Sequence, residues 1–318
     1  MSESTPMAPG TSDTLLNPAP PLPPSPGSRP GKAEKPASLW SDAWHDLRRR
    51  PLFIGSSIMI VILVVMAIFP SLFSSVDPTQ ATTCQLATAR QPPSAMHWFG
   101  KDNLGCDTFA RTIYGARVSI VVGITATIVT ALVGGLLGLI AGFAGGGTDT
   151  LLSRVTEIFF AIPAILGALL ILSVFDTGNM WTVTLALSVL AWPMIFRIMR
   201  AAVITTKSQD YVVAARALGA GKSRIMFRHI LPNAVTPVIV ISMINLGMFI
   251  SAEAALSFLG VGIRSPEISW GVMIADARPR FLEAPSPLLF PAAFLSITVL
   301  AFIMLGDAVR DALDPKLR

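Results

Sequence analysis

The chain has 318 residues, 52% of them hydrophobic and 14% charged, with a mean hydropathy of +0.63 and a formal net charge of +5. Soluble domains carry about 25% charged residues, so this composition excludes an ordinary soluble domain. The lack of short alternating apolar segments excludes a transmembrane β-barrel, and Lys and Arg gathered mainly in the polar segments read as membrane-protein loop charge rather than as a nucleic-acid footprint.

In chain order, residues 1–38 are rich in Pro, Ser and Gly around Pro20-Pro21-Leu22-Pro23-Pro24-Ser25-Pro26. Such a stretch buries too little apolar surface to offset its ordering entropy and predicts a disordered tail. Trp40, Trp44 and Leu47 follow at roughly helical spacing, ahead of Arg48-Arg49-Arg50. That pattern predicts a short amphipathic helix at the membrane interface. Apolar runs of about 20 residues are the unit of a helical span. Six are present, at 52–73, 118–143, 155–175, 181–204, 234–258 and 288–305. The expected fold is therefore all-α, a polytopic membrane protein with six transmembrane helices.

Three regions result: the 1–38 tail, a 39–112 region with the interfacial helix, first span and a long polar loop, and a 113–318 core with five spans. In the second span Gly134, Gly138 and Gly142 recur every four residues, which lets another helix backbone come close. Gly145-Gly146-Gly147 ends that span. Pro163 and Pro193 fall within the third and fourth, as hinges or tolerated kinks. Both termini then lie on one side. That side receives 17 Lys and Arg against 7 on the other, which makes the termini and the 207–232 loop cytoplasmic. The loop after the first span, with Cys84 and Cys106, becomes extracytoplasmic. A disulfide is chemically allowed there, and two free thiols are the alternative.

The basic segment 210–233 contains Gly219-Ala220-Gly221-Lys222-Ser223. A phosphate-binding loop needs a glycine five residues before the Gly-Lys-Ser and a strand ahead of it. Arg216 occupies that position and a helical pattern precedes it, so nucleotide binding is excluded. The segment reads as helix–turn–helix, with Ser208 as N-cap, Asp210 in the first turn, and Gly219 and Gly221 at the break. No H-E-x-x-H or G-x-S-x-G occurs, and His45, His97 and His229 lie outside the apolar runs, so no catalytic or metal site is expected.

Ala214-Ala215, three residues, Gly219, and ten more before Ile230-Leu231-Pro232 resemble the cytoplasmic signature of ABC importer permeases. Val213 stands where many members carry Glu, and His229 where many carry an aliphatic residue. The segment 97–107 resembles the loop after the first span of the peptide and nickel branch, with Cys106 in place of a common Arg. Ala252-Glu253-Ala254-Ala255-Leu256-Ser257-Phe258-Leu259-Gly260 and Trp270-Gly271 fit the same branch, and within it the dipeptide/oligopeptide C-type subunit. The resemblance covers roughly residues 40–318.

It implies a type I importer permease fold in the cell membrane, and half of a pore for di- or oligopeptides. Nickel chelates or haem are the alternative cargoes. It implies four kinds of partner: a homologous second permease, two ABC ATPase subunits or a fused one, an extracytoplasmic substrate-binding protein, and the bilayer. ATP and Mg belong to the ATPases, and no cofactor is expected on this chain. Asp210, Ala214, Ala215, Gly219, Arg228 and Pro232 are the candidate ATPase-coupling residues. Asn245 and Glu253 are candidates for the translocation path, Glu253 because a carboxylate within a span is functional by default. A proton-driven carrier is the remaining reading, although ionisable relays and internal repeats do not stand out.

Overall fold

In the computed structural model, residues 44, 45, 47–175 and 177–313 are described. The Pro-rich 1–38 segment, Trp40, Asp176 and the last five residues lie outside them. Trp44, His45 and Leu47 are helical. Among the described residues there is no strand, only an isolated bridge between Lys101 and Asp107.

Helix α1, Pro51–Ile68, opens with proline in its first turn, where a missing N–H costs nothing. It stops five residues short of the predicted span because Pro70 follows and starts a short 3-10 turn, Pro70–Leu72. Its last carbonyls are satisfied from outside: the Arg117 guanidinium donates to the Ala67 and Ile68 oxygens, each at 2.9 Å.

Helix α2, Thr108–Ala144, has 37 residues and starts ten residues earlier than hydropathy indicated. The Asp107 carboxylate caps it by accepting from the Ala110 N–H at 2.9 Å. At 1.5 Å per residue it is about 55 Å long, well beyond a hydrocarbon core of about 30 Å. Gly145, with φ +68°, ends it.

The third predicted span is not one rod. Helices α3, Gly146–Ala161, and α4, Ala164–Phe175, meet at 88°. Pro163 forces Ile162 out of the helical region, to φ −87° and ψ 120°. Glu157 accordingly sits near the end of α3, in an exposed pair with Arg154 at 2.7 Å. Helix α5, Met180–Lys207, by contrast continues unbroken through Pro193.

The short α6, Asp210–Ala217, leads by a tight turn into α7, Lys222–Phe258. Helix α8, Trp270–Ala277, lies in the following connection, and α9, Ser286–Leu313, closes the bundle. Five of these helices are long and apolar enough to cross a membrane, and the bent α3–α4 pair makes a sixth if the two count as one broken span.

The α2 glycine stripe sets the central packing. A Cβ on Gly134, Gly138 or Gly142 would lie 2.5, 2.6 or 2.9 Å from the carbonyl oxygens of Trp192, Phe196 and Arg200. Two helices with the same four-residue period thus press backbone to backbone. At the end opposite α6, the 74–107 loop is stitched to the bundle. Cys84 and Cys106 are bridged, Asp102 pairs with buried Arg111, Asn103 donates to the Asp276 carbonyl at 2.7 Å, and Arg90 pairs with Glu283 at 2.6 Å.

Candidate functional site

The α6 hairpin is built on an anchored base with an open tip. Val212, Ile225 and Ile230 are buried against Leu139 of α2 and Ile195, Met199 and Val203 of α5. Each such side chain contributes roughly 1.5–3 kcal/mol by leaving water. Ser208 does not cap α6: it ends α5, its hydroxyl donating to the Thr205 carbonyl at 2.8 Å. Gln209 takes the N-cap position without a side-chain bond, because α5 continues to Lys207 and uses up the serine. Asp210 is in the first turn, as expected, and exposed.

The other end of α6 explains the signature glycine. Gly219 N–H donates to Arg216 O at 3.0 Å, and Ala220 N–H to Ala215 O at 3.1 Å. These are the two bonds of a Schellman motif, which needs a left-handed residue at its centre. Gly219 supplies it, with φ +82° and open space around it. Ala214 is exposed and Ala215 half-buried.

Leu218, which the sequence pattern did not single out, is 88% exposed; Val213 is 52% and Tyr211 44% exposed. Partial burial of its ring pushes the Tyr211 phenol up. Arg216, Lys222, Arg224 and Arg228 are exposed around these apolar groups. Pro232 is exposed on α7, just after a π-helical turn over Ile225–Ile230. Pro232 has no N–H to offer, and the preceding Leu231 N–H reaches back to Met226 O.

The hairpin is braced sideways too. Arg200 of α5 grips Asp149 of α3 with two nitrogens, one at 2.6 Å. Lys207 donates to the Phe143 carbonyl at the end of α2 at 2.7 Å, and Arg197 lies 3.7 Å from the Phe160 ring centre. Arg197 and Arg200 therefore do not simply reach for water, as a snorkelling cation at a span end would; both are spent on α3.

The two translocation candidates separate. A cavity of about 390 Å³ lies between α4, α5 and α7, lined by Ala168, Leu187, Met248, Phe249, Ala252 and Leu256 among others. Asn245 lies one turn before Met248 and Phe249 on α7 but is not among the residues lining this cavity. Glu253 does not line it. It is fully buried and accepts from the hydroxyls of Ser119, Ser257 and Ser269 at 2.8–2.9 Å. Each hydroxyl in turn accepts a backbone N–H, from Trp270, Ile263 and Val272 respectively. One carboxylate thus ties α2, α7 and the α8 connection together. Among the described residues no group of three or more His, Cys, Asp or Glu is placed to hold a metal.

A bundle of apolar helices around a small cavity, with a partly apolar hairpin on a buried base at one end, defines a multi-pass membrane protein. Comparison with known proteins gives the family. Residues 134–318 match the binding-protein-dependent transport system inner membrane component. Residues 38–93 match the N-terminal transmembrane domain of oligopeptide transport permease C. The chain is 42% identical over 286 residues to the oligopeptide transport system permease protein OppC of Bacillus subtilis, covering 90% of this chain and 92% of that protein. It is 39% identical over 282 residues to the dipeptide transport system permease protein DppC of the same organism, covering 88% and 87%. It is 34% identical over 279 residues to the glutathione transport system permease protein GsiD of Pectobacterium atrosepticum, covering 88% and 92%. A chain of the MetNI methionine ABC transporter, solved in inward-facing conformations, shares the fold with a TM-score of 0.54 and 19% identity, over 64% of this chain and 96% of that one. The chain belongs to the binding-protein-dependent transport permeases, and is the membrane-spanning permease subunit of an ABC importer.

Proposed function

We propose that this subunit forms half of a pore for di- or oligopeptides and takes its driving force through the α6 hairpin from a separate ATPase. The observation that carries the reading is the exposed apolar tip, Tyr211, Val213 and Leu218, on a base buried at Val212, Ile225 and Ile230. Movement of the tip is transmitted to α5 and α7, two of the helices that line the 390 Å³ cavity. The ATPase then shifts the spans between two arrangements by binding one hairpin position better than the other. ATP and Mg stay on the two ATPase subunits or their fused form. A homologous permease supplies the other half of the pore, and an extracytoplasmic binding protein delivers cargo. In this assignment Asp210, Ala214, Ala215, Gly219, Arg228 and Pro232 serve coupling, and Asn245 is the candidate left for the path. Glu253 holds the α8 connection rather than cargo.

The peptide assignment is supported by the names of the three relatives above, which are oligopeptide, dipeptide and glutathione permeases. Nickel chelates and haem are the cargoes that uptake competition would distinguish. Cytoplasmic termini are supported by the excess of Lys and Arg on their side, 17 against 7. A terminal tag digestible only from inside would agree.

The decisive experiment adds bulk to the turn. Gly221 has φ −64° and open space, so Gly221→Trp introduces no backbone strain; Gly219→Trp adds strain of about 1–2 kcal/mol. In the assembled importer both variants should hydrolyse ATP while losing peptide uptake at least tenfold. Wild-type uptake by both would sink the docking role. Gradient-driven flux through the purified chain alone would instead favour a secondary carrier.

A further inference from the structure

A second cavity, of about 330 Å³, lies at the α6 end of the bundle but away from the α4–α5–α7 cavity. Its walls include Trp44, Phe53, Met243, Leu305, Val309 and Leu313, drawn from the segment before α1 and from α1, α7 and α9. Buried Leu47, Val240, Ala308 and Ala312 back the same region. An apolar cavity of this kind stays dry and takes apolar ligands.

The mouth is cationic. The Arg48 guanidinium stands 4.6 Å over the Trp44 ring, which itself packs edge-on against Phe53 at 6.1 Å. Arg49 is exposed. Arg50 pairs with Asp311 at 3.4 Å, an ion pair partly open to solvent. The three arginines immediately precede α1, so they lie where the span leaves the hydrocarbon and the headgroups begin. An apolar slot at the depth of acyl chains, with cations at headgroup depth, complements one molecule with both features.

We propose that this cavity is a binding site for an anionic phospholipid, one acyl chain lying against Trp44, Phe53 and Met243 and the phosphate at Arg48 and Arg49. The site ties the segment before α1 to α7 and α9 through a lipid. It is independent of the peptide assignment, because it neither lines the path nor touches the α6 hairpin.

The test uses the whole importer complex in detergent, with native mass spectrometry after adding phosphatidylglycerol, phosphatidylcholine or inorganic phosphate. Phosphatidylglycerol should be retained at least tenfold better than phosphatidylcholine, and inorganic phosphate should not displace it. The double substitution R48Q/R49Q, at two exposed positions, should abolish that preference. Ser57→Trp should fill the slot and lower retention of both lipids while the arginines stay. If that variant lowers the melting temperature of the complex, Met243→Trp is read in its place. Equal retention of both lipids by the wild type, unchanged retention by R48Q/R49Q, unchanged retention by the slot-filling variant, or displacement by inorganic phosphate would each overturn the assignment. The last would indicate a free-anion site. Uptake of peptide is measured alongside: loss of lipid preference with uptake unchanged leaves the lipid site standing and the transport reading untouched.

Discussion

At the end of the bundle that carries the 74–107 loop, polar groups turn inward and are paired; at the α6 end, apolar groups turn outward and stay open. Glu253 lies buried near the first end with three serine hydroxyls on its carboxylate. Leu218 stands almost wholly exposed at the other, on a turn closed only by backbone bonds. The difference is one of completeness. The loop end pairs its polar groups through a disulfide, ion pairs and a hydrogen-bonded hub, although Leu86, Met96 and Leu282 stay exposed there as well. The α6 end has a finished base and an unfinished tip, as expected of a surface whose remaining contacts come from another chain.

The contrast can be broken most severely at the hub. Glu253→Leu leaves three buried hydroxyls without an acceptor, at about 1–3 kcal/mol each. Assembled importer should fall sharply and its melting temperature with it, while Glu253→Gln, which keeps the shape but puts an NH2 donor where one acceptor oxygen stood, should fall between. A melting temperature unmoved by Glu253→Leu would mean that the hub holds nothing. Next in size, replacing Cys84 and Cys106 by Ser frees a loop with a sequence separation of 22. Removing such a cross-link costs about 3 kcal/mol in the chain-entropy account. Limited proteolysis should then cut within 74–107 while the spans stay intact, and equal resistance with and without the bridge would contradict this.

At the open end the expected effect is on work rather than on stability. Leu218→Asp should lower uptake about tenfold, equivalent to about 1.4 kcal/mol of coupling, with the melting temperature of the isolated subunit unchanged. A parallel loss of stability would show that Leu218 belongs to the fold after all. The smallest effect concerns Glu283. Its hydrogen bond and attraction to Arg280, with Arg90 adding to them, hold this exposed carboxyl below the ordinary 4.5. A carboxyl with a lowered folded-state pKa contributes above its unfolded value and loses that contribution as pH falls through the folded one. The loop contact at Arg90 should therefore be insensitive to pH from 7 down to about 4.5 and weaken only below that. Hydrogen exchange at residues 85–106 reads it, and Glu283→Gln should remove the dependence; a pH dependence that survives this substitution would contradict the assignment.

Much of this was legible in the chain. The apolar runs located five spans and missed the 88° break within the third run, 155–175, while the spacing of Gly134, Gly138 and Gly142 announced a close helix contact. The sequence could not say that α5 would be the partner, since both helices must be in place before Trp192, Phe196 and Arg200 present their carbonyls. The Ala214-Ala215…Gly219 pattern was visible, and Gly219 is required by local backbone geometry alone. Leu218 was missed because exposure is a property of what fails to cover a residue. Pro163 and Pro193 looked alike, yet one breaks its helix by 88° and the other sits in an unbroken one. Ser208 looked like a cap because helix ends are decided by competition between neighbours, and α5 extended far enough to claim it.

The sequence by itself determined the class of molecule: hydropathy dictates which segments prefer lipid, and glycine positions dictate where backbones can turn or touch. These are local or additive quantities, so a one-dimensional reading recovers them. Only the tertiary structure decided what Glu253 is for. A carboxylate in a span reads as a cargo or proton site until three serines, from α2, from α7 and from the cap of α8, are seen to converge on it. The serine of α2 lies 134 positions away along the chain. Nothing local records that approach, because the free energy of satisfying a buried charge depends on which groups the fold has already brought within hydrogen-bond reach.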